Sequence, residues 1–254
     1  PMFPARGLSG LGARREAGRR VGEGAGRARG QVGRAADGAR RAQLGERGGV
    51  KIGFTSSGPF AWKVPQAVHA FRQRFPAVHL NLKEMSSREV AEGVFDESIE
   101  VGLMRPMPLP QGLVATELFR EPLVAVINAS HALAQATEQG VHLAALAQEP
   151  FVFFPRSYGS GLYAQLLSLA RQAGFSPHFA QEAGEAMTII GLVSAGLGVS
   201  VLPASYQRMR IEGVVYRTLL DTEATSAVWL VQRQCQQSAM ATAFAELLTG
   251  QVQA

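Results

Sequence analysis

The sequence predicts an α/β fold in which two similar βαβαβ lobes are joined by crossover strands. Its 254 residues, of which 46% are hydrophobic, are enough to bury a sizeable core. A pattern of strand, Ser/Gly-rich loop and helix begins near residue 50 and again near residue 151. Alternation of strands and helices favours parallel sheets covered by helices.

The first unit starts with a short apolar run. Residues 50–54 have the composition of a buried strand, and a loop rich in Ser and Gly follows over residues 55–59. Residues 62–75 carry apolar side chains at helical spacing and end before Pro76. The unit then continues with a strand at 78–82, a capping box at 86–89, a helix through 95 and a strand at 99–104.

The second unit has the same order. A strand at 151–154 is followed by a loop at 155–161 and by a helix at 162–173, which Gly174 ends. The remaining elements are a strand at 178–181, a helix at 185–195 and a strand at 198–202.

The segments between and after these units are expected to connect the lobes. Residues 117–127 and 227–231 are predicted to be crossover strands, and residues 236–248 a closing helix that returns to the first lobe. The expected organisation is a basic segment at 1–49, a first lobe at 50–122 plus 226–254, and a second lobe at 123–225.

Charge and glycine are concentrated at the N-terminus. Residues 1–50 contain eleven arginines, four acidic residues and thirteen glycines, whereas the whole chain carries a net charge of +5. Each glycine costs a helix about 1 kcal/mol relative to alanine, so an independently stable domain is not expected there. Such a segment indicates either contact with a polyanion such as DNA or a solvated tail.

Several classes of protein are excluded by what the sequence lacks. One cysteine allows no disulfide framework, and the five histidines do not have the spacing of a zinc helix. Cys235 is expected to be an inert thiol. We predict no catalytic residue, metal or cofactor. Without an apolar run of about 18 residues or a recognisable signal peptide, we expect a cytoplasmic protein with no membrane partner.

Ordered motifs over residues 50–250 resemble the effector-binding domain of LysR-type transcriptional regulators. They are IGFTSSG at 52–58, FRQRFP at 71–76, LKEMSS at 82–87, VGLMRP at 101–106, EPLVAV at 121–126, SHAL at 130–133 and GLVSAGLGVSVLPA at 191–204. The resemblance implies the two-lobed fold of periplasmic solute-binding proteins, with an effector held between the lobes. Residues 83–87 and 140–143 are similar to the branch of the family that senses muconate and related intermediates of aromatic degradation.

The N-terminus departs from the family pattern of a winged helix-turn-helix followed by a long dimerising helix. Residues 19–44 stand at the position of that linker helix, but their glycines suit it poorly. The chain is therefore expected to be a truncated or altered version, whose DNA-binding domain is missing or degenerate.

In the first lobe, the resemblance places a carboxylate-binding hydroxyl cluster at Thr55, Ser56 and Ser57. Ser87 matches a further cleft hydroxyl, and Arg105 matches an arginine that can contact a carboxylate. Hydroxyls and loop amides at a helix start do supply several donors to one anion. The alternatives are turn chemistry for the loop, a helix cap for Ser87 and a surface cation for Arg105.

In the second lobe, the resemblance places the opposing effector loop at Ser157, Tyr158, Gly159, Ser160 and Gly161. Its sequence differs most from the muconate branch, so the ligand is expected to differ. A solvated loop is the alternative.

The resemblance implies a transcriptional regulator that senses a small carboxylate, controls DNA binding through the parent protein's N-terminal domain and assembles as a homo-oligomer, either a dimer or a tetramer. A solute-binding protein or module of the same fold is the alternative, and an α/β enzyme is a third.

Overall fold

The computed structural model describes residues 49–135, 139–236 and 238–250, in which strands and helices alternate as predicted. The strands are β1 (Gly49–Phe54), β2 (His79–Glu84), β3 (Val101–Met104), β4 (Leu113–Asn128), β5 (Gly140–Val141), β6 (Pro150–Phe153), β7 (His178–Glu182), β8 (Ser200–Pro203), β9 (Val214–Leu219) and β10 (Thr225–Arg233). The α-helices are α1 (Lys63–Arg74), α2 (Ser87–Phe95), α3 (Ala132–Gln135), α4 (Gly161–Gln172), α5 (Ala186–Ser194) and α6 (Ala239–Thr249). The expectations for residues 1–48 and 251–254 lie outside the described residues.

In the first lobe, β1 lies between β2 and β3 and is parallel to both. Helix α1 packs on this sheet because Val64, Ala67 and Phe71 recur every three or four residues and are buried. The Phe71 ring meets Phe244 of α6 edge-on, with the ring centroids 5.6 Å apart. The last helix therefore packs on the first lobe, as the sequence predicts.

Strands β4 and β10 connect the lobes. From Leu113 to Pro122, β4 pairs antiparallel with β10; from Leu123 to Asn128 it pairs antiparallel with β8 and β9. Strand β10 also pairs antiparallel with β3, so the sheet is mixed. The parallel pairing expected within the βαβ units is observed for β1, β2 and β3, whereas the predicted crossover strands pair antiparallel, a direction that local alternation does not predict.

In the second lobe, β6 and β7 are parallel, and one parallel bridge between Phe151 and Val199 joins β6 to the start of β8. Helices α4 and α5 bury Leu166, Leu169 and Ile189 in the second-lobe core. Strand β9 was not predicted, although its sequence VVYRTL is rich in residues that favour strands.

The buried apolar residues form separate clusters. A cluster under α1 and α6 draws on residues between 50 and 118 and between 230 and 248, whereas a second cluster draws on residues between 123 and 224. On this basis we propose the lobe boundaries expected from sequence, 50–122 plus 226–254 and 123–225. Among the described helices, none is long and apolar enough to cross a membrane.

Candidate functional site

A narrow cleft, with a cavity volume of only about 20 Å³, lies where the two lobes meet. Seven of the ten predicted site residues line it, namely Thr55, Ser56, Ser57, Ser87, Arg105, Tyr158 and Ser160. The other lining residues are Met85, Ser86, Phe154, Leu162 and Tyr206. The predicted residues Ser157, Gly159 and Gly161 are not part of this lining.

The first-lobe loop follows the end of β1. The Thr55 backbone N–H donates to the Leu103 carbonyl at 3.0 Å, which fixes the loop to the end of β3. Ser57 is buried, and its Oγ accepts a hydrogen bond of 2.7 Å from Arg105 Nη2. The loop is thus held at the carboxyl end of β3, with its hydroxyls at the cleft.

Ser86 and Ser87 have different roles at the start of α2. Ser86 forms the predicted capping box: its Oγ accepts from the Glu89 N–H at 3.2 Å, and its own N–H donates to Glu89 Oε2 at 2.7 Å. These hydrogen bonds lower the pKa of the Glu89 carboxyl. Ser87 is buried, and its Oγ has no hydrogen-bond partner among the described residues. Capping therefore does not account for Ser87.

Arg105 follows β3 and is 1% exposed, so the alternative of a surface cation is wrong. Its Nη2 donates to Ser57 and, at 2.6 Å, to Glu121 Oε1. Its Nη1 points at the carbonyls of Ser226 and Ala227 at 3.4 and 3.5 Å. Its Nε is buried without a partner in the described part of the chain. Arg105 is thus a buried cation already paired with a carboxylate.

The second-lobe loop combines polar and steric roles. Ser160 caps α4, since its Oγ accepts from the Leu162 N–H at 3.2 Å. A Cβ on Gly161 would lie 2.6 Å from the Pro106 carbonyl oxygen, and one on Gly159 would lie 2.6 Å from Arg88 Cβ. The two glycines therefore let the lobes approach each other.

Ser157 is exposed and does not reach the cleft. Tyr158 does, and its ring stacks on Phe154 with centroids 5.9 Å apart and planes 12° apart. Burial and the nearby carboxylates of Glu185, Glu89 and Glu84 raise the pKa of the Tyr158 phenol, which therefore stays neutral. The loop thus presents a flat aromatic wall to a ligand.

Tyr206 is the cleft residue that sequence reasoning missed. It lies in a 3-10 helix, Ala204–Met209, immediately after β8. Its Oη is 2.6 Å from Ser56 Oγ, which joins the lobes across the cleft. Burial raises the pKa of its phenol, so it too is neutral. The available signal was its position shortly after a predicted strand, because ligands bind beyond the carboxyl ends of strands in open α/β sheets.

The same 3-10 helix makes further contacts with the first lobe. Arg208 Nη1 donates to the Phe60 carbonyl at 2.8 Å, and the Phe60 and Tyr206 rings are 5.8 Å apart. The Ser205 N–H donates to Glu121 Oε2 at 2.8 Å, so Glu121 contacts both this helix and Arg105. This segment therefore holds the lobes in their observed arrangement.

The site provides hydrogen-bond donors rather than reactive groups. No set of three or more His, Cys, Asp or Glu side chains that could hold a metal occurs in the described ranges. Cys235 is exposed and does not line the cleft. Chemically, the hydroxyls, one guanidinium and the aromatic wall suit a small, flat, polar ligand with an anionic or carbonyl oxygen.

Comparison with known proteins gives consistent results. YnfL of Escherichia coli (strain K12), an uncharacterized transcriptional regulator of the helix-turn-helix type, is 45% identical over 193 residues, which are 76% of this chain and 64% of YnfL. The regulator BenM of Acinetobacter baylyi is 30% identical over 189 residues, covering 74% of this chain and 62% of BenM. The chain thus spans less than two thirds of the length of these relatives.

The solved structures agree with this result. The BenM effector binding domain with its effector benzoate has a TM-score of 0.71 to this chain at 28% identity, covering 80% of this chain and 90% of that domain. In addition, residues 43–253 match the family described as the LysR substrate binding domain. The fold, the relatives and this match together show that the chain belongs to the LysR substrate binding domain family.

Proposed function

We propose that this chain is the effector-sensing part of a LysR-type transcriptional regulator and that it binds a small carboxylate, of the kind formed during aromatic degradation, between its lobes. The observation that carries the proposal is the cleft itself. The cleft is lined by the buried Arg105 guanidinium, by the stacked Tyr158 and Phe154 rings and by the Ser87 hydroxyl, which has no hydrogen-bond partner among the described residues. A carboxylate oxygen would accept from Ser87 and from Arg105 Nε.

Binding would act on the arrangement of the lobes. A ligand shifts a conformational equilibrium only through different affinities for the two states. A ligand that contacts Ser56 and Ser87 on one side and Tyr158 on the other requires the lobes to be close together. It therefore favours an arrangement in which both lobes contact it over any more open one, and that difference is the proposed signal.

The remaining partners are proposed from the relatives. YnfL and BenM are both named as regulators of the helix-turn-helix type, so we propose that the parent protein binds DNA through its N-terminal domain and acts in the cytoplasm. We also propose a homo-oligomer, either a dimer or a tetramer. Strand β2 is the outer strand of its sheet, and Leu82 on it is half exposed beside an apolar groove along α1, which supports association. Gel filtration tests this, since a solute-binding protein of the same fold would be monomeric.

The ligand proposal is tested by thermal unfolding with benzoate, muconate and related carboxylates. A ligand at about 100 times its Kd should stabilise the protein by about 2.7 kcal/mol. Ser87→Ala should abolish the shift, whereas Ser157→Ala, which alters an exposed serine outside the cleft, should leave it unchanged. The absence of a shift with every carboxylate would contradict the proposed effector class.

A further inference from the structure

We infer that the cleft selects ligands that carry no more than one negative charge and discriminates against dicarboxylates. This inference rests on the function proposed above, because it concerns the ligand of the same cleft. It follows from counting the charges and the hydrogen-bond donors that the structure leaves available to a ligand.

The first step is the charge of the cleft wall. Arg105 is the one cationic side chain among the described residues that line the cleft. Its partner Glu121 is 2.6 Å away, and the two side chains are 2% and 12% exposed. Because the pair is neutral as a unit, it offers little net charge to stabilise the second carboxylate of a dianion.

The second step is the number of donors on Arg105. A guanidinium has five N–H groups. The contacts of Nη2 with Ser57 and Glu121 use two of them, and the contacts of Nη1 with two backbone carbonyls use two more. The Nε–H remains, buried and without a partner in the described structure. Arg105 therefore offers a ligand one hydrogen bond, whereas a bidentate contact with a carboxylate needs two.

The third step is that the other donors are neutral. The Ser87 hydroxyl is buried and unpartnered, and the Ser56 and Tyr206 hydroxyls form a hydrogen bond with each other. Together with Arg105 Nε, these groups can satisfy the oxygens of one carboxylate. A second carboxylate would lose its hydration without meeting a cation, and burying an unpaired charge is costly.

The fourth step is the surroundings of the aromatic wall. The carboxyl group of Glu84 from β2 lies against that of Glu185 at the start of α5, and burial together with this neighbour raises the pKa of Glu84. Glu89 is a third carboxylate near Tyr158. Three cations lie close by: Lys83 acts on Glu89, Arg88 packs against Gly159, and Arg156 is in the same 3-10 helix as Tyr158. Carboxyl groups and cations thus balance here, so the surroundings of the aromatic wall add no net positive charge that would favour a dianion.

The test compares ligands that share a carbon skeleton and differ in charge. Sorbate and muconate form one pair, and benzoate and terephthalate form another. Isothermal titration of the full chain at low ionic strength should give a Kd about tenfold lower for the monocarboxylate of a pair. Equal or tighter binding of the dicarboxylates would overturn the charge inference and leave the proposed carboxylate function standing.

A variant tests whether Glu121 causes the discrimination against dicarboxylates. Glu121→Gln removes the carboxylate that neutralises Arg105, so it should raise the affinity for the dicarboxylates about tenfold. The difference in Kd between the monocarboxylate and the dicarboxylate of each ligand pair should become smaller. Glu117→Gln is the matched control, since it makes the same change on the same strand in an exposed pair with Arg120. If circular dichroism shows that Glu121→Gln is folded and the difference in Kd between the two ligands of each pair is unchanged, the assigned role of Glu121 is overturned.

The two proposals fail in different ways. If neither member of any pair binds to the native chain or to Glu121→Gln, the carboxylate function is overturned, and the charge inference with it. If the monocarboxylates bind and the dicarboxylates do not, both proposals are supported. The comparison within the native chain does not depend on whether the variant folds.

Discussion

The two loops that face each other across the cleft are similar in sequence but differ in structure. Thr55, Ser56 and Ser57 in the first lobe contribute side chains: Ser57 is buried against Arg105, and Ser56 bonds to Tyr206. The second-lobe loop, 157–161, contributes Tyr158 and Ser160 to the lining, but its two glycines act through the absence of a side chain. A loop of small residues can therefore supply hydrogen-bond donors, or it can let another part of the chain pack closely against it. Removing a hydroxyl tests the first role, and adding a side chain to a glycine tests the second.

The largest expected effect concerns the support of the first-lobe loop. Arg105→Met leaves the Glu121 carboxylate buried without its cation, which should lower the free energy of unfolding by about 3–5 kcal/mol. Urea denaturation measures this change in the free energy of unfolding. Arg120→Met, in an exposed pair, should cost less than about 1 kcal/mol. If the double variant Arg105→Met, Glu121→Gln were no more stable than Arg105→Met alone, an unpaired charge would not be the cause.

The next effect concerns the space that the second-lobe loop provides. Gly161→Ala places a Cβ 2.6 Å from the Pro106 carbonyl oxygen, so the lobes must separate at a cost of about 1–3 kcal/mol. Within helix α4 alone, alanine would instead be favoured, but by less than about 1 kcal/mol because Gly161 is the first helical residue. We therefore expect weaker ligand binding and a loss of stability of no more than about 1–3 kcal/mol.

The matched control for this change is Gly191→Ala in α5, where a Cβ would meet nothing within 4 Å. Small-angle X-ray scattering should show a larger radius of gyration for Gly161→Ala than for the native chain. Gly191→Ala should leave the radius of gyration unchanged. Equal radii for both variants would show that close packing at Gly161 does not set the distance between the lobes.

The smallest effect concerns the hydrogen bond between the lobes. Tyr206→Phe removes the contact with Ser56 and should lower stability by about 1 kcal/mol. A double-mutant cycle with Ser56→Ala isolates the coupling between the two hydroxyls, which we expect to be about 0.5–1.5 kcal/mol. Strictly additive losses would mean that the two groups do not act as a pair.

The sequence predicted those parts of the fold that are encoded locally. Helix α1 follows from the spacing of Val64, Ala67 and Phe71, and the start of α2 from the capping box at Ser86 and Glu89. The cleft loops were also located, through their resemblance to the effector loops of the family, and both follow the carboxyl ends of strands.

The parts that were missed depend on contacts between residues far apart in the chain. Ser56 and Tyr206 are 150 residues apart, and nothing near either residue indicates the other. The Glu121 carboxylate that neutralises Arg105 lies on β4, within a run that looks only like a strand. The charge of the site therefore could not be predicted from the loops alone.

Strand β4 has a mechanical consequence. It belongs to both lobes, and its pairing passes from β10 to β8 and β9 between Pro122 and Leu123, directly after Glu121. Its first ten residues are paired with β10 nearly residue by residue, so little sliding is possible there. Relative movement of the lobes should therefore be a rotation about the Pro122 junction, and a ligand that hydrogen-bonds to Arg105, the partner of Glu121, would act right beside that pivot.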